Sequence, residues 1–495
     1  MKKNSFKFKI FSVILVLCLF NSLVGITVSA ADVSYFLTTA EIDPYTYESG
    51  VDNFPSELCN YVKQKFTEYT KYVDVSKYNI STDDAASLLT SVLLENPEVF
   101  YVSPMSFSYG LGSNGYVSVI APHYLYDKSE IPSEIQKFEN TAKKLISGIG
   151  KDWEQKVIAL TVHDNMILNC QYAKDEVQQD DVNPEIYTAY GCLVNQKAVC
   201  QGYALAYNYL LSQFGIEASM VTSVEMDHGW SLVKIDGEYY HVDTTWDDPT
   251  YDRLGQAQHK YFLKSDENLA LTHSSWSAEC SASSQTYDTY FWNDVTTQIP
   301  YIDGKFYYIN NVPSAGNLGD LVSYDGNTES VIAHIDDRWS SNKAAKAYWL
   351  NNFSALAVKD NVLYYNTPDK IYSINPDGTD EKMIYQLSEE ELQTGNIYGF
   401  VINDNGDFYC SLSYSPNIAQ TNQVVNDSTQ NTVYLAGDVT GDGKISIQDA
   451  TTIQLYVAYL TSLTDVQIKV ADINSDGNIN IFDATEIQLM LAELN

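Results

Sequence analysis

Apolar positions recur at helical spacing in three stretches of the chain. Leu88, Leu89, Val92 and Leu93 lie on one helix face, and Asn96-Pro97 ends it because the residue before proline is driven out of helical geometry. Val157, Leu160, Thr161, Asp164 and Leu168 predict a second helix from about Trp153 to Cys170. His163 and Asp164 sit on it; adjacent helix residues do not face each other, so a packing histidine beside a capping or surface acid is expected. Tyr203, Ala204, Ala206, Tyr207, Leu210, Leu211 and Phe214 form a wide apolar stripe that starts just after Cys200, with Gly215 as its C-cap.

Period-two stretches lie between and after these helices. Residues Phe107 to Ile120 place Gly110, Gly112 and Asn114-Gly115 among aromatic and β-branched positions, which predicts strands around a turn. Glu217 to Val224 reads as a strand, and Trp230 to Ile235 and Glu238 to Val242 flank Asp236-Gly237, a strong hairpin signal. From about Tyr301 to Tyr434 the chain becomes tyrosine-rich. IDGKFYYI, KDNVLYYN and NDNGDFYC each set a polar turn before an aromatic strand, and PDKIYSINPDG adds a return strand. This pattern resembles a β-propeller or a similar stacked-sheet module, although three units are too few to close a propeller. Its tyrosines suit packing better than carbohydrate or peptide binding. SYSPNIAQTNQVVNDSTQN has no hydrophobic period and reads as a linker.

Beyond the linker, GDVTGDGKISIQDATTIQLYVAYL is repeated as ADINSDGNINIFDATEIQLMLAEL. Calcium takes six to eight oxygen ligands on a twelve-residue loop, with ligands at positions 1, 3, 5, 7, 9 and 12 and glycine at 6. The first loop offers Asp438, Thr440, Asp442, the Lys444 carbonyl, Ser446 and Asp449 around Gly443. The second offers Asp472, Asn474, Asp476, the Asn478 carbonyl, Asn480 and Asp483 around Gly477. Two calcium ions are therefore expected, and each loop runs into an amphipathic helix.

Composition narrows the setting. At 495 residues the chain exceeds a single hydrophobic core. Four lysines precede an apolar run from Ile10 to Phe20, and Val28-Ser29-Ala30 offers cleavage after Ala30, so an export signal is expected over residues 1–30. Its removal takes the formal charge from −35 to −39, which repels nucleic acid and anionic lipid and suits solubility outside a cell. Of seven cysteines, Cys18 leaves with the leader. The other six are too sparse for a disulfide scaffold, and the absence of any C-x-x-C pair argues against zinc.

Candidate chemistry centres on Val199 to Asp248. Cys200 at a helix N-terminus meets unsatisfied N–H groups and a positive dipole end, which favour thiolate over thiol. With a two-residue turn at Asp236-Gly237, Ile235 opposes Glu238, Trp230 faces Asp243, and His228 lies diagonally beside Asp243 on the same face. Val233, Tyr240 and Val242 take the other face, suited to packing on the cysteine helix or another core layer; a one-residue slip would separate the histidine from the acid. Cys200, His228 and Asp243 then form a nucleophile, base and orienter. His241 beside Asp243 lacks a third ligand of suitable spacing for a metal.

AVCQGYA, DHGWSLV and IDGEYYHVDTTWDDP resemble the bacterial secreted members of the transglutaminase-like superfamily, and the resemblance covers at least Tyr190 to Tyr261. It implies an α+β, papain/transglutaminase-like domain in which the cysteine-bearing helix packs on an antiparallel sheet, with the three roles falling on Cys200, His228 and Asp243. Animal transglutaminases have Gln before the cysteine; here Val199 precedes it and Gln201 follows, so the oxyanion donors are left to backbone N–H groups, with Gln196 a further candidate.

The terminal repeat resembles a type I dockerin, since both loops end in aspartate and no amphipathic helix precedes Asp438. That resemblance implies a small all-α calcium-folded module that binds a cohesin domain on a scaffoldin of a cellulosome. Thr440 departs from the usual Asn or Asp, implying a weaker first site. The family's cohesin-selecting positions are Ile447-Gln448 and Ile481-Phe482, which differ between repeats and leave the cohesin type open.

The expected organisation is a signal peptide (1–30), an N-terminal α/β region (32–150), a transglutaminase-like catalytic domain (151–296), a β-rich propeller-like region (297–412), a linker (413–436) and a dockerin (437–495). The expected function is a secreted thiol enzyme cutting peptide or isopeptide amides, with no cofactor for catalysis. A protein-glutamine acyl transferase and a non-catalytic module with a vestigial triad are the alternatives.

Overall fold

The computed structural model describes residues 37–42, 54–179, 182–248, 254–310, 319–342, 347–349, 352–403, 406–414, 421–426, 433–434, 437–440, 444–458, 460–461, 463, 465–473 and 478–493. The expected leader, most of the expected linker, and Asp442, Asn474 and Asp476 of the calcium loops lie outside them. No helix of the described residues is long and apolar enough to cross a membrane.

The first part of the chain is a four-stranded antiparallel sheet with helices. Strands Val102–Leu111 and Val117–Tyr124 form the hairpin at its centre, with Thr38–Glu41 and Val73–Asp74 outside. Helix Thr82–Glu95 starts at a reciprocal Ser81/Asp84 capping box, which satisfies two orphan N–H groups, and stops before Pro97. These elements do not close a core of their own. Val62, Leu88, Val92 and Phe107 share one continuous apolar cluster with Leu160, Tyr203, Leu210, Val233 and Val322.

Helix Gln155–Ile167 and helix Cys200–Ser212 both contribute to that cluster. The sequence reads the second as an amphipathic stripe, but it is buried on almost every side, from Gln201 and Gly202 to Leu211. A helix enclosed in this way is the central post of its domain. Gly202 is required there: a Cβ would sit 2.7 Å from the Ile186 carbonyl and 2.8 Å from that of Thr188.

Against this cysteine helix stands a three-stranded antiparallel sheet of Ala218–Ser223, His228–Ile235 and Glu238–Val242. Ile235 pairs with Glu238, Val233 with Tyr240 and Ser231 with Val242, the register expected from a two-residue turn. Asp236 and Gly237 both have positive φ, 51° and 92°, as a type I′ turn demands. Val233, Ile235, Tyr240 and Val242 join the large core, while Trp230 and Leu232 pack on Leu269 and Ala282 from the other side.

The tyrosine-rich region is a succession of four-stranded antiparallel sheets. The first comprises Tyr301–Ile302, Lys305–Asn310, Asp320–Tyr324 and Glu329–His334. Leu356–Lys359, Val362–Asn366, Lys370–Ile374 and Lys382–Gln386 form the second, and Asn396–Ile402, Asp407–Ser413, Thr421–Asn426 and Val433–Tyr434 the third. Phe306, Tyr308 and Val322 of the first sheet belong to the large core. One apolar layer then joins the first sheet to the second, and another the second to the third. Strand Asn396–Ile402 meets the chain just beyond the Asp236-Gly237 hairpin: a Cβ on Gly399 would lie 2.1 Å from the Leu254 carbonyl, and one on Gly255 2.2 Å from that of Phe400.

At the C-terminus, helices Ile447–Val457, Asp465–Ala471 and Ile481–Glu493 close a small core of Val439, Ala450, Ile453, Val470, Ala484 and Ile487. Among the described residues the chain is thus a mixed helix-and-sheet protein with mainly antiparallel sheets and a helical end.

Candidate active site and calcium loops

Cys200 is the first residue of its helix, and Val199 caps it with no side-chain hydrogen bond. The N–H groups of the first turn therefore have no capping oxygen, and their positive end faces the thiol. Strand Lys197–Ala198, which delivers the cysteine, pairs in parallel with Gln171–Tyr172. Gln196 has φ 57°, and its side-chain amide donates to Asn169 at 3.1 Å.

His228 opens its strand beside the helix start. Its Nε2 donates to Asp243 Oδ2 at 2.7 Å. A carboxylate only accepts, so this contact fixes the proton on Nε2, and the Cys200 thiol is a hydrogen-bonding neighbour of the same ring. Trp230 and Trp246 stack on the imidazole with centroids 5.4 and 5.5 Å away. Burial works against the charged ring, yet Asp243 and then Cys200 outweigh it and push the His228 pKa up to about 10. Asp243 is also buried, but the two histidines on it hold its carboxyl well below the usual carboxylate range.

Asp243 does more than face the histidine. Its Oδ1 accepts from the Thr245 and Trp246 N–H groups, both at 3.1 Å, and so caps the short helix Thr244–Asp247. Its Oδ2 takes a second bond, 2.9 Å from His273 Nε2. His273 was not singled out in the sequence, because it lies in an aperiodic stretch 30 residues further on. His241 has other partners: it accepts from Trp230 Nε1 at 3.0 Å and donates to Asp266 at 2.8 Å. Burial lowers its pKa, consistent with a neutral ring making these two bonds.

A second cluster of the same residue types lies nearby. His163 Nδ1 is 2.9 Å from Asp164 Oδ1 and its Nε2 is 3.3 Å from Asp247 Oδ2. His259 Nε2 reaches the same Asp164 oxygen at 2.8 Å, while its Nδ1 donates to the Val295 carbonyl at 3.0 Å. Asp164 is therefore neither a cap nor a surface acid, and neighbours on the helix do meet through their side chains. Burial opposes charge on His163, but Asp164 and Asp247 raise its pKa to about 9. Burial raises Asp247. In each cluster the ligand atoms lie close enough to share an ion, within 4.8 Å of one another, but hydrogen bonds among themselves already engage them.

In the terminal module the loop carboxylates turn inward. Asp449 takes Thr440 N and Oγ1 on Oδ1, both at 2.8 Å, and Ser446 N and Oγ on Oδ2 at 2.8 and 2.9 Å. Asp483 repeats this with the N–H groups of Ile473 and Asn480 at 3.1 and 2.9 Å. Asp438, Asp449 and Asp483 are buried. These all-oxygen donors on tight loops fit a hard divalent cation; calcium there would supply the positive charge around which the inward carboxylates fold.

No curated protein matches the chain. A solved structure titled "Crystal structure of a TGase" is similar at 12% identity and a TM-score of 0.20, over 28% of this chain and 41% of that one. This chain thus spans less than half the length of that one. Residues 140–244 match the family model of the transglutaminase-like superfamily and residues 436–492 that of the dockerin type I domain, so the chain joins a transglutaminase-like domain to a C-terminal type I dockerin domain.

Proposed function

We propose that the protein is an exported, cellulosome-associated thiol enzyme that hydrolyses peptide or isopeptide amides through Cys200, His228 and Asp243. The single observation that carries this reading is the 2.7 Å bond from His228 to Asp243 beside a cysteine at a helix N-terminus. In this mechanism the Cys200 thiolate attacks the amide carbonyl carbon, and a C–S bond forms as the carbonyl electrons move to oxygen. The uncapped N–H groups of the first helical turn stabilise that oxyanion. His228 gives its Nδ1 proton to the departing amine and the C–N bond breaks, leaving a thioester. His228 then takes a proton from water, whose oxygen attacks the thioester; the C–S bond breaks, releasing the acid and restoring the Cys200 thiolate beside protonated His228. A lysine amine in place of water would give transfer.

Along the chain we assign the leader to residues 1–30, an N-terminal scaffold to 32–150, catalysis to 151–296, the stacked sheets to 297–412, a tether to 413–436 and docking to 437–495. Two calcium ions would fold the dockerin through Asp438, Thr440, Asp442, Lys444, Ser446 and Asp449, and through Asp472, Asn474, Asp476, Asn478, Asn480 and Asp483. A cohesin on a scaffoldin is its expected partner.

Mass spectrometry of mixed protein substrates incubated with the enzyme and calcium tests the reading. New peptide termini that are absent with Cys200→Ala are expected. Lysine adducts at glutamine would favour transfer, and identical products from both proteins would reject an enzyme of either kind.

A further inference from the structure

We infer that His273 is a positioning residue of the reacting set: by donating from Nε2 to Asp243 Oδ2 it fixes the carboxylate that orients His228. This rests on the reading of Cys200, His228 and Asp243 as that set.

Asp243 Oδ1 is held by two backbone N–H groups, and Oδ2 receives His228 and His273 at 2.7 and 2.9 Å. Since a carboxylate only accepts, both histidines must carry a proton on Nε2. Without His273 the group could turn about its Oδ1 anchor, and only His228, the ring it is meant to orient, would restrain Oδ2. The His273 ring is itself fixed. It is 2 % exposed and lies 4.2 Å from Trp246, 4.8 Å from Trp230 and 5.5 Å from Tyr261 by centroids. Thr272 Oγ1 holds its Nδ1 at 3.0 Å. Trp246 and Trp230 also stack on His228, so one aromatic frame holds both rings on one oxygen.

The titratable groups facing this set are few. Tyr172 interacts electrostatically with Cys200 and Asp243, and with Tyr187 beside it; Tyr261 faces His273, and His241 with Asp266 stands behind Trp230. None of them touches Asp243 Oδ2 by any hydrogen bond described above. The ring of His273 thus stands as the second donor to that oxygen.

Loss of this donor should let the His228 ring drift from the sulfur and make the thiol less reactive. The test is peptide-mapped alkylation of the full chain with iodoacetamide, in calcium, across pH. Wild-type Cys200 should react at pH 6 faster than the exposed Cys280. His273→Phe and His273→Asn, which lack a donor of the right reach, should lower the Cys200 rate at pH 6 about tenfold. His273→Gln, whose side-chain amide restores a donor near Nε2, should stay within about twofold of wild type.

Superimposable profiles for wild type, His273→Gln and His273→Asn would overturn the role of His273 while leaving the triad reading intact. So would an equal loss in the Gln and Asn variants. If His273→Phe does not fold, the polar Gln and Asn pair decides alone. Wild-type Cys200 reacting no faster than Cys280 would reject the triad reading itself.

Discussion

The two histidine–aspartate clusters are built from the same parts and differ in what stands beside them. In each, one carboxylate oxygen serves two imidazoles: Asp243 Oδ2 binds His228 and His273, and Asp164 Oδ1 binds His163 and His259. They are joined by a helix of four residues, with Asp243 capping its start and Asp247 ending it. The difference lies in what the remaining ring nitrogen meets. The free face of His228 meets a thiol, and the half-exposed Trp246 stacks beside it. His163 meets a second carboxylate and is fully buried. A histidine–aspartate bond is therefore only a way to hold an imidazolium. Under the proposed function the thiol beside His228 would make that hold reactive, whereas His163 is left between two carboxylates.

The largest effect should come from breaking the first cluster. Asp243→Asn is expected to lower kcat by about four orders of magnitude with the fold retained, because the amide favours the wrong tautomer of His228. Steady-state assay alongside circular dichroism checks both halves of that statement. In the second cluster the cost should fall on stability. Asp164→Ala leaves two buried histidines without their shared acceptor and should cost about 3–5 kcal/mol in urea unfolding. Cys200 alkylation in the folded fraction should be unchanged.

Titration sharpens the contrast. His163 and His228 have folded pKa values raised from 6.5 to about 9 and about 10. Their pairing thus contributes fully below the unfolded value of 6.5, and is lost as pH rises through 9 to 10. Urea midpoints should fall over that window, and His163→Asn should flatten the decline while leaving the pH profile of Cys200 alkylation in place.

How much of this was legible in the sequence follows from the range of each interaction. Asp236-Gly237 fixed the hairpin register by local turn chemistry, and the register in turn brought His228 to Asp243. The apolar stripe after Cys200 marked a helix start at the thiol. His273, His259 and Asp247 were not legible as partners, since they come from aperiodic segments or a four-residue helix with no period to read. The same limit hid the common core of residues 42–322, because a helical pattern reveals an apolar face but not its neighbour. In the tyrosine-rich region three turn-and-strand signals were visible. The exposed edge strands Glu329–His334 and Lys382–Gln386 were not, because few of their side chains are buried.

Smaller effects mark the edges of the comparison. Gly237→Ala meets no steric neighbour, so only its φ of 92° should cost, about 1 kcal/mol by thermal unfolding. Chelating calcium should melt the terminal helices and abolish cohesin binding, as circular dichroism and a pull-down would show, yet change neither histidine cluster. Cohesin binding that persists in chelator would reject the docking assignment.

The most direct test of the central claim is peptide-mapped acylation by a reactive nitrophenyl ester. A hydroxylamine-labile acyl group is expected on Cys200 in wild type and in His163→Asn, and its loss in His228→Ala. Acylation of Cys200 no faster than that of the exposed Cys280, or equal in His228→Ala, would contradict it.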